Sequence, residues 1–227
     1  MINIITSSTI SDKISKVTAK NWKHIGGKFS HTKRLVLIIA VLCIFACLFT
    51  GCGNRGLTAE QRTAIVELAG DAEIVDITGE VMNDALREKF PAVRNIFTVG
   101  DSYVFLCTPH GYYKEIELVA VIDSLTDTVK GMRIVKHYES ETYVRNFTDN
   151  WFTNRFMGKG TNGYLLLTKL ESEKDNEIVQ ITGATITTQA VINGVNAAIG
   201  LYREYVLKQL SEAVPYKIDG YTPYVNN

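Results

Sequence analysis

At 227 residues the chain suffices for one ordinary domain plus a targeting segment, and a hydrophobic content of 46% is enough for a buried core. The formal net charge of zero hides a split: residues 1–34 sum to +6, residues 35–54 carry no charge, and residues 55–227 hold 17 basic and 23 acidic side chains. An acidic domain without interleaved aromatic and basic residues argues against nucleic acid, whose phosphates demand a basic face.

The same split reads as topology: a basic cytoplasmic leader over 1–34, an apolar segment over 35–52, and an acidic domain on the extracytoplasmic side of the cell membrane. The apolar run from Leu35 is long for the core of a signal peptide. It is marginal for a membrane span, which needs about 20 residues. Its end, Leu48-Phe49-Thr50-Gly51-Cys52, resembles the bacterial lipoprotein signal, in which small residues precede a cysteine that is lipidated and becomes the new N-terminus. That resemblance makes Cys52 the lipidation site; an uncleaved anchor helix is the alternative, and either tethers the domain to a membrane. Cys43 and Cys47 fall inside the apolar run, so their spacing reads as incidental rather than metal-binding. Cys107 is then the one thiol left in the mature domain besides Cys52, which excludes a disulfide framework and suits a small buried hydrophobe.

Residues 53–95 read as a tether and N-terminal helices. Thr58, with Gln61 three positions on, predicts a capping box opening a helix through "AEQRTAIVELA", and "EVMNDALREKFPAV" predicts a second helix stopped by Pro91. Strands follow at Asn95–Val99 and Ser102–Cys107, joined at Gly100-Asp101. After the turn "TPHGYY", the run "EIELVAVID" places Ile116, Leu118, Ala120 and Ile122 on one strand face and Glu117, Val119 and Val121 on the other. "MRIVKHY" predicts another strand, and Val144, Phe147, Trp151 and Phe152 have helical spacing. "YLLLTKL" and "EIVQI" predict two more strands before a last helix from near Thr185 to about Leu210, with Val191, Val195, Ala198, Tyr202 and Tyr205 as its apolar stripe. The order implies an α+β fold: a single domain over 96–210 with a mostly antiparallel sheet and packed helices, an N-terminal signal or anchor helix ahead of it, and a tail over 211–227.

Between the last strand and the last helix lies "VQITGATITTQAV", in which Thr182, Thr185, Thr187 and Thr188 crowd around Gly183 and Ala184. A helix N-terminus offers unpaired N–H groups and partial positive charge, so it stabilises an anion, above all a phosphate. Two small residues keep the approach open, and hydroxyls add donors. Threonine is equally at home at a strand end or as an N-cap, so the local pattern also fits a plain helix start.

"TGATITT" resembles the flavinylation motif of the FMN-binding domain family, written (S/T)-G-A-T-x-(S/T), found in the G subunit of Rnf complexes and the C subunit of the sodium-pumping NADH:quinone reductase. The resemblance implies covalent FMN on Thr185 through a phosphoester bond, with Thr182, Gly183, Ala184, Thr187 and Thr188 around it. It implies an ApbE-type flavin transferase as partner, drawing FMN from FAD with Mg²⁺, and the subunits of a membrane redox complex. "GYYKEIELVAVID…GMRIVKH" is similar to the family's Gly-Tyr turn and strand pair, and "HYESETYVRNFTDNWFTNRFMGK" to its H-x-x-x-E-T-P-G stretch and following helix, which sets Glu141 and Thr142 at the flavin or its phosphate. Two positions depart from the family: Val179 stands where an Asp usually lies six residues before the acceptor, and Tyr143-Val144-Arg145-Asn146 replaces Pro-Gly-x-Gly.

His137 closes a strand and could meet a flavin edge or serve structure; His110 reads as a solvated turn residue; Tyr112 and Tyr113 could stack on an isoalloxazine or pack locally. No P-loop, H-E-x-x-H motif or paired cysteines outside the apolar run exist to support phosphate or metal chemistry. The expectation is a membrane-tethered extracytoplasmic electron carrier with covalent FMN; a binding lipoprotein of the same fold without flavin is the alternative.

Overall fold

The computed structural model describes residues 56–140, 147–169, 171, 172 and 174–218. The leader, the apolar run with Cys43, Cys47 and Cys52, and the pair Glu141 and Thr142 lie outside the described residues.

Helix α1, Ala59–Ala69, starts as its sequence dictates: Thr58 accepts from Gln61 N, and the Gln61 side chain accepts from Thr58 N. A short strand β1, Ile74–Asp76, follows. The expected second helix is instead two, α2 at Thr78–Val81 and α3 at Asp84–Lys89. Asn83 causes the break, because its side chain accepts from Leu86 N at 2.9 Å and so caps a new helix rather than continuing the old one. Helix α3 ends before Pro91, as anticipated.

Strands β2 (Val93–Val99), β3 (Ser102–Cys107), β4 (Glu117–Asp123) and β5 (Thr128–Lys136) complete a five-stranded antiparallel sheet in the order β1-β2-β3-β4-β5. The alternation expected along β4 holds. Leu118, Ala120 and Ile122 join Phe105 and Cys107 in one core, while Val119 and Val121 join Val104, Leu106, Phe97 and the α1 residues Ala64, Ile65 and Leu68 in another. The sheet is therefore the middle layer, with α1 on one face. Cys107 is buried and free, and desolvation pushes its thiol pKa up, so it is held neutral.

Covering the other face is α5, Thr185–Tyr205, a helix of 21 residues. It ends at Tyr205 rather than Leu210; three residues on, Lys208 takes φ 57, which no helix continues through. Its buried positions run from Thr187 to Tyr202 on nearly every side, well beyond the single stripe expected. Strapped over it are β6 (Leu166–Thr168) and β7 (Glu177–Val179), which pair in parallel as a separate two-stranded sheet, unlike the antiparallel main sheet. Buried Asn196 ties the helix to this flank, accepting from Leu165 N at 2.8 Å and donating to Leu165 O at 2.9 Å, as a neighbouring strand would. The tail is docked too: Val214 N donates to Lys89 O, and His110 N to Tyr216 O.

The helix expected across 141–158 is, among the described residues, only α4 (Asn150–Thr153) and a 3₁₀ turn at Asn154–Phe156. Phe147, Phe152 and Phe156 are fully buried, but Trp151, expected on the same apolar face, is 45% exposed. A helix this short cannot carry one stripe through seven residues. Among the described residues no helix is long and apolar enough to cross a membrane.

Candidate functional site

Why glycine sits in the motif is answered by a turn. Ala184 N donates to Ile181 O at 2.9 Å, and Gly183, third of the four residues, has φ 80, the left-handed value that a type II turn needs there. Ala184 is then the N-cap and Thr185 the first residue of α5, with no side-chain cap. The N–H groups of Thr185, Ile186 and Thr187 consequently have no intrahelical partner, and the positive end of the helix dipole lies at this turn.

The four threonines separate into two pairs. Thr188 is fully buried; its hydroxyl donates to Ala184 O at 2.9 Å and accepts from Ile181 N at 3.2 Å, stitching the turn to the helix. Thr187 is 3% exposed and donates to Glu139 Oε2 at 2.6 Å. Thr182 and Thr185 are exposed, and the Thr185 hydroxyl donates to Gln180 Oε1 at 2.8 Å. An oxygen at the first position of a long helix, held by one neutral amide and open to solvent, is accessible to chemistry; the buried pair serves to hold it in place.

Glu139 joins this turn to the rest of the domain, and nothing in the linear pattern picked it out. Only 7% exposed, its carboxylate accepts from Tyr112 N (2.9 Å) and Tyr113 N (3.3 Å) through Oε1 and from Thr187 through Oε2. Three donors offset the cost of burying the group. Gly111 is required beside it, since a Cβ there would come within 2.4 Å of Oε1. The signal that existed was a Gly-Tyr-Tyr turn and an acid just past the end of β5, but only the fold brings residues 111–113, 139 and 187 together.

His137 serves structure: its Nδ1 accepts from Glu139 N at 3.3 Å, and its ring stands edge-on to Phe147. His110 is half-buried, with Nδ1 2.9 Å from Gly111 O and its ring against Tyr216. Tyr112 and Tyr113 pack edge-to-face at 4.7 Å, leaving Tyr113 44% exposed.

Strand β7, which leads into the turn, is held by Arg155, which no sequence motif singles out. Its guanidinium carbon lies 4.2 Å from the Trp151 ring centroid and 5.9 Å from that of Phe152, and Nη1 donates to Val179 O. Desolvation lowers its pKa, but an arginine so placed stays charged. Gln180, the next residue, is fixed by its own N–H to Thr168 O at 2.9 Å. Helix N–H groups, an exposed hydroxyl and, on the strand that leads into the turn, an arginine form a donor set that suits a phosphate ester. A groove between α1 and β5, lined by Glu60, Thr63, Glu67 and Arg133, does not include Thr185.

A helix-backed antiparallel sheet presenting a solvent-open threonine at a helix mouth defines a small α+β domain. Residues 111–200 match the family model described as FMN-binding domain. The chain is 34% identical over 94 residues to the G subunit of the Na(+)-translocating ferredoxin:NAD(+) oxidoreductase complex of Acetobacterium woodii, which is 41% of this chain and 44% of that protein. It is 36% identical over 106 residues to the G subunit of the ion-translocating oxidoreductase complex of Salmonella typhimurium, covering 45% and 50%. The chain thus spans about half the length of the curated relatives it matches. The crystal structure of Shewanella oneidensis NqrC superposes with a TM-score of 0.45 at 18% identity, over 65% of this chain and 86% of that one.

Proposed function

We propose that this protein carries FMN esterified to Thr185 and relays electrons within, or beside, a Rnf-like membrane redox complex. The observation that carries the reading is the Thr185 hydroxyl: exposed, at the first position of α5, and hydrogen-bonded among the described residues only to Gln180, inside a segment matching an FMN-binding family. The relatives named above are subunits of ion-translocating oxidoreductase complexes, which supports a redox-complex partner.

Attachment balances as a transfer. Thr185 Oγ1 bonds to the FMN-side phosphorus of FAD, the pyrophosphate P–O bond breaks, AMP leaves, and the hydroxyl proton goes to a base on the transferase, with Mg²⁺ on the phosphates. This chain's contribution is position: Thr187 and Thr188 fix the turn, Gly183 and Ala184 keep it open, and Gln180 aims the hydroxyl. Once bound, FMN would supply one- and two-electron transfer that no side chain here provides. The basic leader, the apolar run and Cys52 support a membrane tether with the domain outside, and Glu141 and Thr142 follow β5 at the position the family gives to flavin contacts.

One observation favours the alternative, a flavin-free binding lipoprotein of the same fold: Val179 lacks the carboxylate found at that place in the family, and its carbonyl is occupied by Arg155. Co-expression with an ApbE-type transferase, followed by a denaturing gel and intact mass, decides. Flavin fluorescence that survives denaturation and disappears in Thr185→Ala supports the electron carrier; an unmodified Thr185 beside an active transferase selects the alternative.

A further inference from the structure

Resting on that reading, a charge question arises. Esterification through Thr185 brings a phosphodiester, and with it one negative charge, to the mouth of α5. Helix N–H groups stabilise it in part, and an apposed cation would do more.

Arg155 is the side chain built for this. Its guanidinium has five N–H donors, of which one goes to Val179 O. The ion pairs among the described residues, Lys89–Glu204 and Arg133–Glu67, do not involve it. Instead its plane is held on Trp151, with Phe152 beyond. A partly desolvated guanidinium stacked on an aromatic ring, with no carboxylate among the described residues as partner, is a preorganised anion receptor. Its location is as telling. The carbonyl that it grips belongs to the residue just before Gln180, and the Gln180 side chain grips the Thr185 hydroxyl. Cation and acceptor oxygen are thus anchored on consecutive residues, Val179 and Gln180. We propose that Arg155 is the counter-charge for the phosphodiester of FMN on Thr185, with Trp151 as the platform that holds it. A cation thereby stands beside the position where the family carries an acid and this chain carries Val179.

The test uses the full chain, flavinylated by co-expressed transferase, as wild type, Arg155→Gln and Arg155→Lys. Glutamine keeps an N–H for Val179 O while removing the charge, so packing and charge separate. Two quantities are read on chains carrying flavin: the ³¹P resonance of the ester and the fluorescence anisotropy of the native protein. The inference expects the Arg155→Gln resonance to move toward its position in urea-unfolded protein and the anisotropy to fall, with Arg155→Lys keeping both near wild type. Failure of Arg155→Gln alone to accept FMN, with an unchanged melting temperature, also supports it, since the charge then acts during transfer. Unchanged ³¹P shift and anisotropy in Arg155→Gln overturn it, as does an equal defect in Arg155→Lys. A wild-type chain that takes no FMN removes the reading beneath, and this inference falls with it.

Discussion

At its C-terminal end α5 is fastened to three other elements. Tyr202 donates to Asp127 in the β4–β5 turn at 2.5 Å, Glu204 pairs with Lys89 of α3, and Tyr205 donates to Glu80 of α2 at 2.8 Å. Tyr103 of β3 meets both tyrosines edge-on. At its N-terminal end the helix has no side-chain cap, and of its first three residues only Thr187 reaches a distant element, through Glu139. One end puts its polar groups into holding the fold, the other leaves Thr185 exposed with a bond to Gln180, and a buried middle separates the two. Chemistry at the open end can then change without loosening the domain.

The largest expected effect breaks that independence or confirms it. Thr185→Ala should abolish covalent flavin while leaving stability within about 0.5 kcal/mol, because an exposed hydroxyl bonded to a surface amide carries little of the fold. A gel and a urea melt on the same sample check both halves. The converse variant lies in the middle of the helix. Ile192→Ala, at a fully buried position, should cost about 2–5 kcal/mol by opening a cavity between α5 and the sheet. Chains that remain folded at low temperature should still accept FMN.

What the sequence made legible follows the range of the interactions. The Thr58 capping box, the hairpin at Gly100-Asp101 and the two faces of β4 are decided within a few residues, and each is present. The single helix expected through Asn83 is absent because a local cap outcompetes the apolar spacing. The helix expected through Trp151 shrinks to the four residues of α4, because the stripe residue Phe147 lies in the turn before it and Trp151, on the same spacing as buried Phe152, faces solvent. At the site, the Thr-Gly-Ala-Thr run was legible because its turn and helix start are local. Glu139, Gln180 and Arg155 were not. Glu139 acts on Thr187 from 48 residues away and Arg155 on Val179 from 24, and no local pattern encodes such contacts. Gln180 lies in the same stretch as the threonines but is a common surface residue; only the fold turns its amide toward Thr185.

A smaller effect sharpens the division among the threonines. Thr188→Val preserves shape but leaves Ile181 N without its acceptor and Ala184 O without that donor, at a cost of about 1–3 kcal/mol. Thr182→Val, two residues before the helix N-cap and exposed, should change stability by no more than about 0.5 kcal/mol. Equal losses from both in urea melts would mean that the turn is not pinned from inside.

The smallest effect is read in alkali and belongs to the fastened end. Burial, and next the hydrogen bond to Asp127, raise the Tyr202 pKa above the ordinary value near 10, and burial raises that of half-exposed Tyr164 to about 12. Folded-state values above the unfolded one mean that the native chain holds these protons more tightly. Their contribution is therefore fully present below about pH 10 and is lost as pH climbs from there through the folded values. Melting temperature should be flat in this respect up to about pH 10 and decline beyond it, with phenolate absorbance lagging behind that of the unfolded chain. Tyr202→Phe removes one of these protons and should reduce the alkaline slope. At neutral pH it should lose only about 1 kcal/mol, because Asp127 is exposed and water can take over its hydrogen bond. Flavin content on Thr185 should not follow pH in this range if the two ends are as independent as their contacts indicate; a joint decline in both would show that the clamp at Tyr202 reaches the open mouth of the helix.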